Sequence, residues 1–181
     1  SCLTNLQVSG LIVPIRLSKE SIAMKFADFM CESAICVDVK ATDKVGVIQE
    51  LVNSLVSSGQ VKEEDRDSIV EAIMKREELG STGIGRGVAV PHTKHSSVES
   101  LIGTVGVSAE GVEFDSLDGE KVQLLFLLVS HPDRPGDHLR ALENISRQLR
   151  DDTFCRFLKQ SKTAKDIAQL LEEADNNQFA S

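Results

Sequence analysis

The sequence predicts a single α/β layered domain, a mixed β-sheet flanked by helices on both faces. Two observations carry this. Short β-branched or continuously apolar runs alternate along the chain with longer stretches of helical period. The longest apolar run, 122–129, is interrupted only by Gln123, so it reads as a strand buried on both faces that needs cover on each side. A length of 181 residues with 41% hydrophobic residues suits one core, and no internal repeat, low-complexity tract or linker divides it. The organisation drawn from this is an N-terminal extension at 1–30, a folded domain at 31–175 and a polar tail at 176–181.

In order along the chain, Pro14 breaks any helix in the extension, and SKESIAMKFADFM starts one with Ser18 as its cap. Residues 34–39 alternate Ile35, Val37 and Val39 with other residues, a short strand by period and β-branching. A helix follows, capped by Thr42 or Asp43. Its apolar positions Val45, Ile48, Leu51, Val52, Leu55 and Val56 recur at helical spacing, and Gly59 stands where a left-handed stop is needed. A second helix covers 63–79, with an acidic first turn and with Ile69, Val70, Ile73 and Met74 facing inward. From Gly80 the segment GSTGIGRGVAVPHTKH packs four glycines and one proline around a short strand at 88–90, which places function in the flanking loops. Strands are expected at 101–108 and 122–129, with an edge piece at 111–114. The loop SHPDRPGD leads to a helix beginning at His138, whose inward residues are Leu139, Leu142, Ile145 and Leu149. Helices at 151–160 and 164–173 close the domain.

A net charge of −8 disfavours nucleic acid or an anionic membrane as general partners, because both repel such a surface. Apolar runs far shorter than about 18 residues exclude a membrane-spanning helix, and the N-terminus lacks the basic start of a signal peptide. Cys2, Cys31, Cys36 and Cys155 have no CxxC spacing and read as reduced thiols of a cytoplasmic protein.

His92 follows Pro91 at the end of the strand GVAV, a placement that suits nucleophilic or acid–base work but equally suits a structural histidine. His138 is a second candidate that would lie beside His92 if the two strands are neighbours; otherwise it is a solvated first-turn residue. Arg76 offers a planar fork to a phosphate or carboxylate, or is an exposed arginine paired with Glu77 or the helix dipole. Gly83, Gly85 and Gly87 enter a strand and lack the GxxxxGK[ST] pattern, which excludes a nucleotide-binding P-loop. His92, His95, His131 and His138 could be metal ligands by count, but HxxH in a loop lacks helical i, i+4 placement, so neither metal nor cofactor is expected. There is no GxSxG and no local signature of a thiol protease.

The run REELGSTGIGRGVAVPHTKH (76–95) resembles the active-site signature of the type-2 enzyme IIA domains of the bacterial phosphoenolpyruvate-dependent phosphotransferase system. That family comprises the mannitol/fructose and nitrogen-regulatory branches. ATDKVGVIQELVNSLVSSGQV resembles its first helix and turn, EFDSLDGEKVQLLFLLVSHP the following strands, and DHLRALENISRQLRDDTFCRFL the helical end, so that 35–173 is covered. The resemblance implies that His92 is phosphorylated by a histidine of the small carrier HPr. It also implies that His138 is the family's second histidine and Arg76 its arginine. Arg76 would then neutralise phosphoryl oxygens, His138 would donate a hydrogen bond or share charge, and Ser81 and Thr82 are further phosphate contacts. Thr93 departs from the glycine of many relatives, and His95 and His131 inherit no role. Downstream, the resemblance implies either a IIB domain or regulatory protein targets. The sequence contains no IIB or IIC segment, which favours the nitrogen-regulatory type. Two rivals stand beside these readings: a binding module that has lost the chemistry, and a hydrolase using His92 as base, which lacks a partnered nucleophile.

Overall fold

The computed structural model describes residues 24–176. The predicted cap at Ser18, the break at Pro14, Cys2 and nearly all of the polar tail lie outside them. Where the predicted N-terminal helix is described, it is a single 3-10 turn at Phe26–Asp28. Phe26 and Phe29, inside the stretch assigned to the extension, are buried. The Phe26 ring stacks on Phe126 with centroids 5.9 Å apart.

The centre of the sheet is β5 (Val122–Ser130). It pairs antiparallel with β4 (Ile102–Val112) on one side. On the other side it pairs in parallel with β2 (Val88–Ala89) and then β3 (His92–Lys94), which follow one another along the same edge. β1 (Gly83–Gly85) folds back antiparallel on β2. The sheet is therefore mixed, as the sequence predicts.

Burial on both faces of β5 follows from its alternation. Leu125, Leu127 and Val129 pack with α1 (Lys44–Ser57) and α2 (Arg66–Glu78). Leu124, Phe126 and Leu128 pack with α3 (Pro135–Gln148), α4 (Asp152–Gln160) and α5 (Ala164–Asp175). Asp43 caps α1 by accepting the Gly46 N–H at 2.8 Å, and Gly59 beyond its end has φ +81°. α1 lies so close to β4 that a Cβ on Gly106 would stand 2.7 Å from Leu51 Cδ2.

Three expectations are corrected. The stretch 34–39, expected as a strand, forms no ladder: among the described residues its one bridge to β4 is Cys36 with Gly106, flanked by isolated parallel bridges of Met30 with Gly103 and of Asp43 with Glu113 just beyond β4. Cys36 bonds Val105 O and the Val107 N–H, but the next N–H to reach the ladder, on Val107 O, comes from Val39 rather than residue 38. One extra residue breaks the period of two. The separate edge piece at 111–114 is instead the end of β4, whose register slips between Val107 and Val112 around Gly111 at φ +86°. The third helix begins at Pro135, so its buried face runs through His138, Ala141, Ile145 and Gln148, and Leu139 is exposed.

Candidate functional site

Pro91 has no N–H to give a ladder, and the edge strand breaks there into β2 and β3. The break gives the Val90 carbonyl a side-chain partner. His92 Nδ1 lies 2.7 Å from Val90 O, and since a carbonyl only accepts, Nδ1 carries the proton and Nε2 the lone pair. The Val90 N–H is in turn fixed on Thr82 O at 3.1 Å.

His92 stands opposite Leu128 in the parallel register, and neighbours in register share a face, so its ring lies on the side covered by α3. His138, in the first turn of α3, meets it there. The two rings are 5.2 Å apart between centroids and inclined at 60°. His138 Nδ1 lies 2.5 Å from Ser130 Oγ at the end of β5. The solvated reading of His138 is thereby excluded, because the side chain is buried.

From the opposite layer α2 packs against β3 and brings Arg76. Arg76 Nη1 donates to Gly80 O at 3.0 Å, which orients the guanidinium at the mouth of the glycine loop. Burial holds the His92 imidazole below its ordinary value of 6.5; the Val90 hydrogen bond opposes this, the Arg76 charge lowers it further and Glu77 raises it. His138 is pushed down to about 4, first by burial and then by the charges on His92 and Lys94. Both rings are neutral near pH 7, the state in which an imidazole nitrogen is nucleophilic.

Glu77 is the residue that sequence reasoning missed. It is only 5% exposed, accepts the Thr82 N–H (3.1 and 3.3 Å) and hydroxyl, and pairs with Lys44 Nζ at 3.1 Å. A chain of contacts thus runs from Lys44 through Glu77 and Thr82 to Val90 and His92. The signal was present: Glu77 continues the i, i+4 stripe of Ile69 and Ile73 into the core. The hydroxyls of Ser81 and Thr82, expected at a phosphate, donate within the protein, Ser81 to Phe114 O at 3.0 Å and Thr82 to Glu77.

The other two histidines stand apart from this pair. His95 Nδ1 accepts the Ser97 N–H at 3.2 Å, which leaves Nε2 to donate to Ser68 Oγ at 2.8 Å. His131 Nδ1 accepts the Asp133 N–H at 3.0 Å. Cys31, Cys36 and Cys155 are free thiols.

Residues 28–174 match the family model for the phosphoenolpyruvate-dependent sugar phosphotransferase system, EIIA 2. The chain belongs to this family. A nitrogen regulatory protein of Bradyrhizobium diazoefficiens is 32% identical over 82% of the chain and 95% of its own length. A fructose-specific EIIABC component of Bacillus subtilis is 32% identical over 84% of the chain, which corresponds to only 24% of that larger protein. The crystal structure of the nitrogen regulatory protein IIA-Ntr from Neisseria meningitidis superposes with a TM-score of 0.73 at 28% identity, covering 81% of this chain and 98% of that one. A phosphoryl-carrier role fits the nitrogen-regulatory and the sugar-specific relatives of this EIIA domain alike. Among the described residues no helix is long and apolar enough to cross a membrane.

Proposed function

We propose that His92 Nε2 accepts a phosphoryl group from the histidine of an HPr-type carrier, and that the phosphorylated and free forms bind regulatory partners differently. The observation that carries this is the Nδ1–H bond to Val90 O, which leaves the lone pair on Nε2 of a ring that has His138 beside it and feels the Arg76 charge. As that lone pair forms the N–P bond, the donor's N–P bond breaks and its electron pair returns to the donor imidazole. The His92 ring becomes cationic. Val90 O keeps the Nδ1 proton in place, so the phosphorylated ring remains a good leaving group for onward transfer. Arg76 supplies positive charge for the phosphoryl oxygens and His138 a hydrogen bond, which is most of what such a loose transition state requires. Ser81 and Thr82 act on the loop's shape rather than on the phosphate.

The nitrogen-regulatory reading is supported by the relative from Bradyrhizobium diazoefficiens, which this chain matches almost end to end. Phosphorylation adds a phosphoryl group of about two negative charges, one of them offset by the cationic ring, to a chain that already carries a net −8, enough to weaken an interface with an acidic partner or favour a basic one. The fructose-specific relative supports the alternative of onward transfer to a IIB domain.

The test is intact-mass analysis in alkaline solution after incubation with phosphoenolpyruvate, enzyme I and HPr. Wild type gains one phosphoryl group and His92→Ala gains none. Labelling that survives in His92→Ala moves the acceptor elsewhere, and an unlabelled wild type ends the carrier reading. Adding an isolated IIB domain then separates the two branches, since rapid loss of the label favours the sugar-specific one.

A further inference from the structure

The outward alternation of β5 places Leu124, Phe126, Leu128 and Ser130 in one row beneath α3, α4 and α5. Three members of the row are apolar and Ser130 is a fully buried hydroxyl. A buried hydroxyl is tolerated only when its proton has an acceptor. Among the described residues, the side-chain partner found for Ser130 Oγ is His138 Nδ1 at 2.5 Å.

That contact has two possible proton arrangements. In one, Nδ1–H donates to Oγ, the serine proton points into the core without an acceptor, and His138 Nε2 presents a lone pair. In the other, the serine donates to Nδ1 and Nε2 carries the ring proton. The second satisfies both groups and the first leaves one orphaned, an asymmetry that decides between them. The surroundings agree with this. Burial, with the charge on nearby Lys94, keeps His138 neutral near pH 7, so it has one ring proton to place and not two. A lone pair on Nε2 would also repel the oxygens of a phosphoryl group on the adjoining ring, whereas N–H attracts them.

We infer that Ser130 is a positioning residue that holds His138 as its Nε2–H tautomer, making it a neutral hydrogen-bond donor to the phosphoryl group on His92. The inference rests on the carrier reading above for the phosphoryl group, but not for the tautomer. Among the described residues no hydrogen bond joins Ser130 to His92, so the serine acts through His138.

The experiment measures ring nitrogen shifts of His138 by NMR in the unphosphorylated wild type, together with phosphoryl transfer from HPr to wild type, Ser130→Ala and Ser130→Thr. The expected shifts are pyridine-type for Nδ1 and pyrrole-type for Nε2. In Ser130→Ala the Nδ1 resonance moves, having lost its donor, and transfer slows by about tenfold, the scale of one lost hydrogen bond; Ser130→Thr, which keeps the hydroxyl, restores both. A pyrrole-type Nδ1 in the wild type overturns the inference without reference to any variant, and so covers the case in which Ser130→Ala fails to fold. Unchanged transfer in a folded Ser130→Ala also overturns it. A wild type that accepts no phosphoryl group removes the carrier reading and the donor role with it, while the nitrogen shifts still judge the tautomer.

Discussion

The two edges of the β4–β5 core are built alike and used differently. At each edge the strand is interrupted, and at each a helix carboxylate takes up the backbone N–H groups that the ladder leaves over. On the outer side of β4, Glu50 of α1 accepts the N–H of Lys40 at 3.0 Å and of Ala41 at 2.9 Å. On the outer side of β5, Glu77 of α2 accepts the Thr82 N–H and hydroxyl. Glu50 is half-buried on a polar rim where Lys40 pairs with Asp38, whereas Glu77 lies in the interior beside Lys44, itself 4.9 Å from the Phe114 ring centroid. The β4 edge merely ends its pairing. At the β5 edge, Pro91 sets the Val90 carbonyl on the His92 ring. An interrupted strand becomes a site where a side chain able to do chemistry takes up the released backbone group and a buried network fixes the segment that holds it.

The largest expected difference between the edges comes from removing the buried carboxylate. Glu77→Ala leaves Lys44 without its closer partner and Thr82 with two unmet donors, and the loss should be about 3–5 kcal/mol in urea denaturation. Glu77→Gln keeps acceptors for Thr82 and should lose less while still slowing transfer to His92. A Glu77→Ala loss of only about 1 kcal/mol, the ordinary value of one hydrogen bond, would make the two edges equivalent and break the comparison.

Acid should act mainly at the same edge. The folded pKa of His138 lies below the unfolded value, so the unfolded chain binds more protons between the two. Its share of stability is therefore complete above about pH 6.5 and is lost as pH falls toward 4. Integrated from pH 7 to 4.5 the loss is roughly 2–3 kcal/mol. His92 adds in the same direction. Denaturation at both pH values should show a smaller fall in His138→Gln than in wild type; an equal fall would place the acid sensitivity elsewhere. The β4 edge, at 30–43, holds no histidine and should contribute nothing to this difference.

Most of this architecture was legible in the sequence because it rests on local period. β5 follows from its apolar run, the first helix from the Asp43 cap and Gly59, and the pairing of His92 with His138 was foreseen on condition that their strands were neighbours. Features that depend on where a polar residue meets a stranger in space were not legible in advance. Glu77 and Ser130 both occupy positions that the period assigns to the core, at the end of the Ile69–Ile73 stripe and of the Leu124–Leu128 row. Reading only the apolar members of each row passed over the polar one that closes it. At 34–39 both the strand and its period failed, since the extra residue turns Val39 into the α1–α2 layer while Ile35 and Val37 pack with the α3–α5 layer, and alternation says nothing about whether each N–H finds a ladder partner. Leu139 failed for a simpler reason, a helix that starts three residues earlier than expected and presents another face.

The smallest expected effect is at the β4 edge, and it is the one that isolates the site. Glu50→Ala frees the N–H groups of Lys40 and Ala41, but water can reach them, so stability should fall by only about 1 kcal/mol. Among the described residues, the hydrogen bonds and ion pairs of residues 36–41 run to Glu50, to β4 and within the segment, and none reaches His92 or Glu77. Transfer from HPr to Glu50→Ala should therefore match wild type while the midpoint of urea denaturation drops. If transfer slows along with stability, the interrupted edges communicate through the sheet, and the chemistry at His92 depends on the whole β-layer rather than on the loop that Glu77 and Pro91 shape.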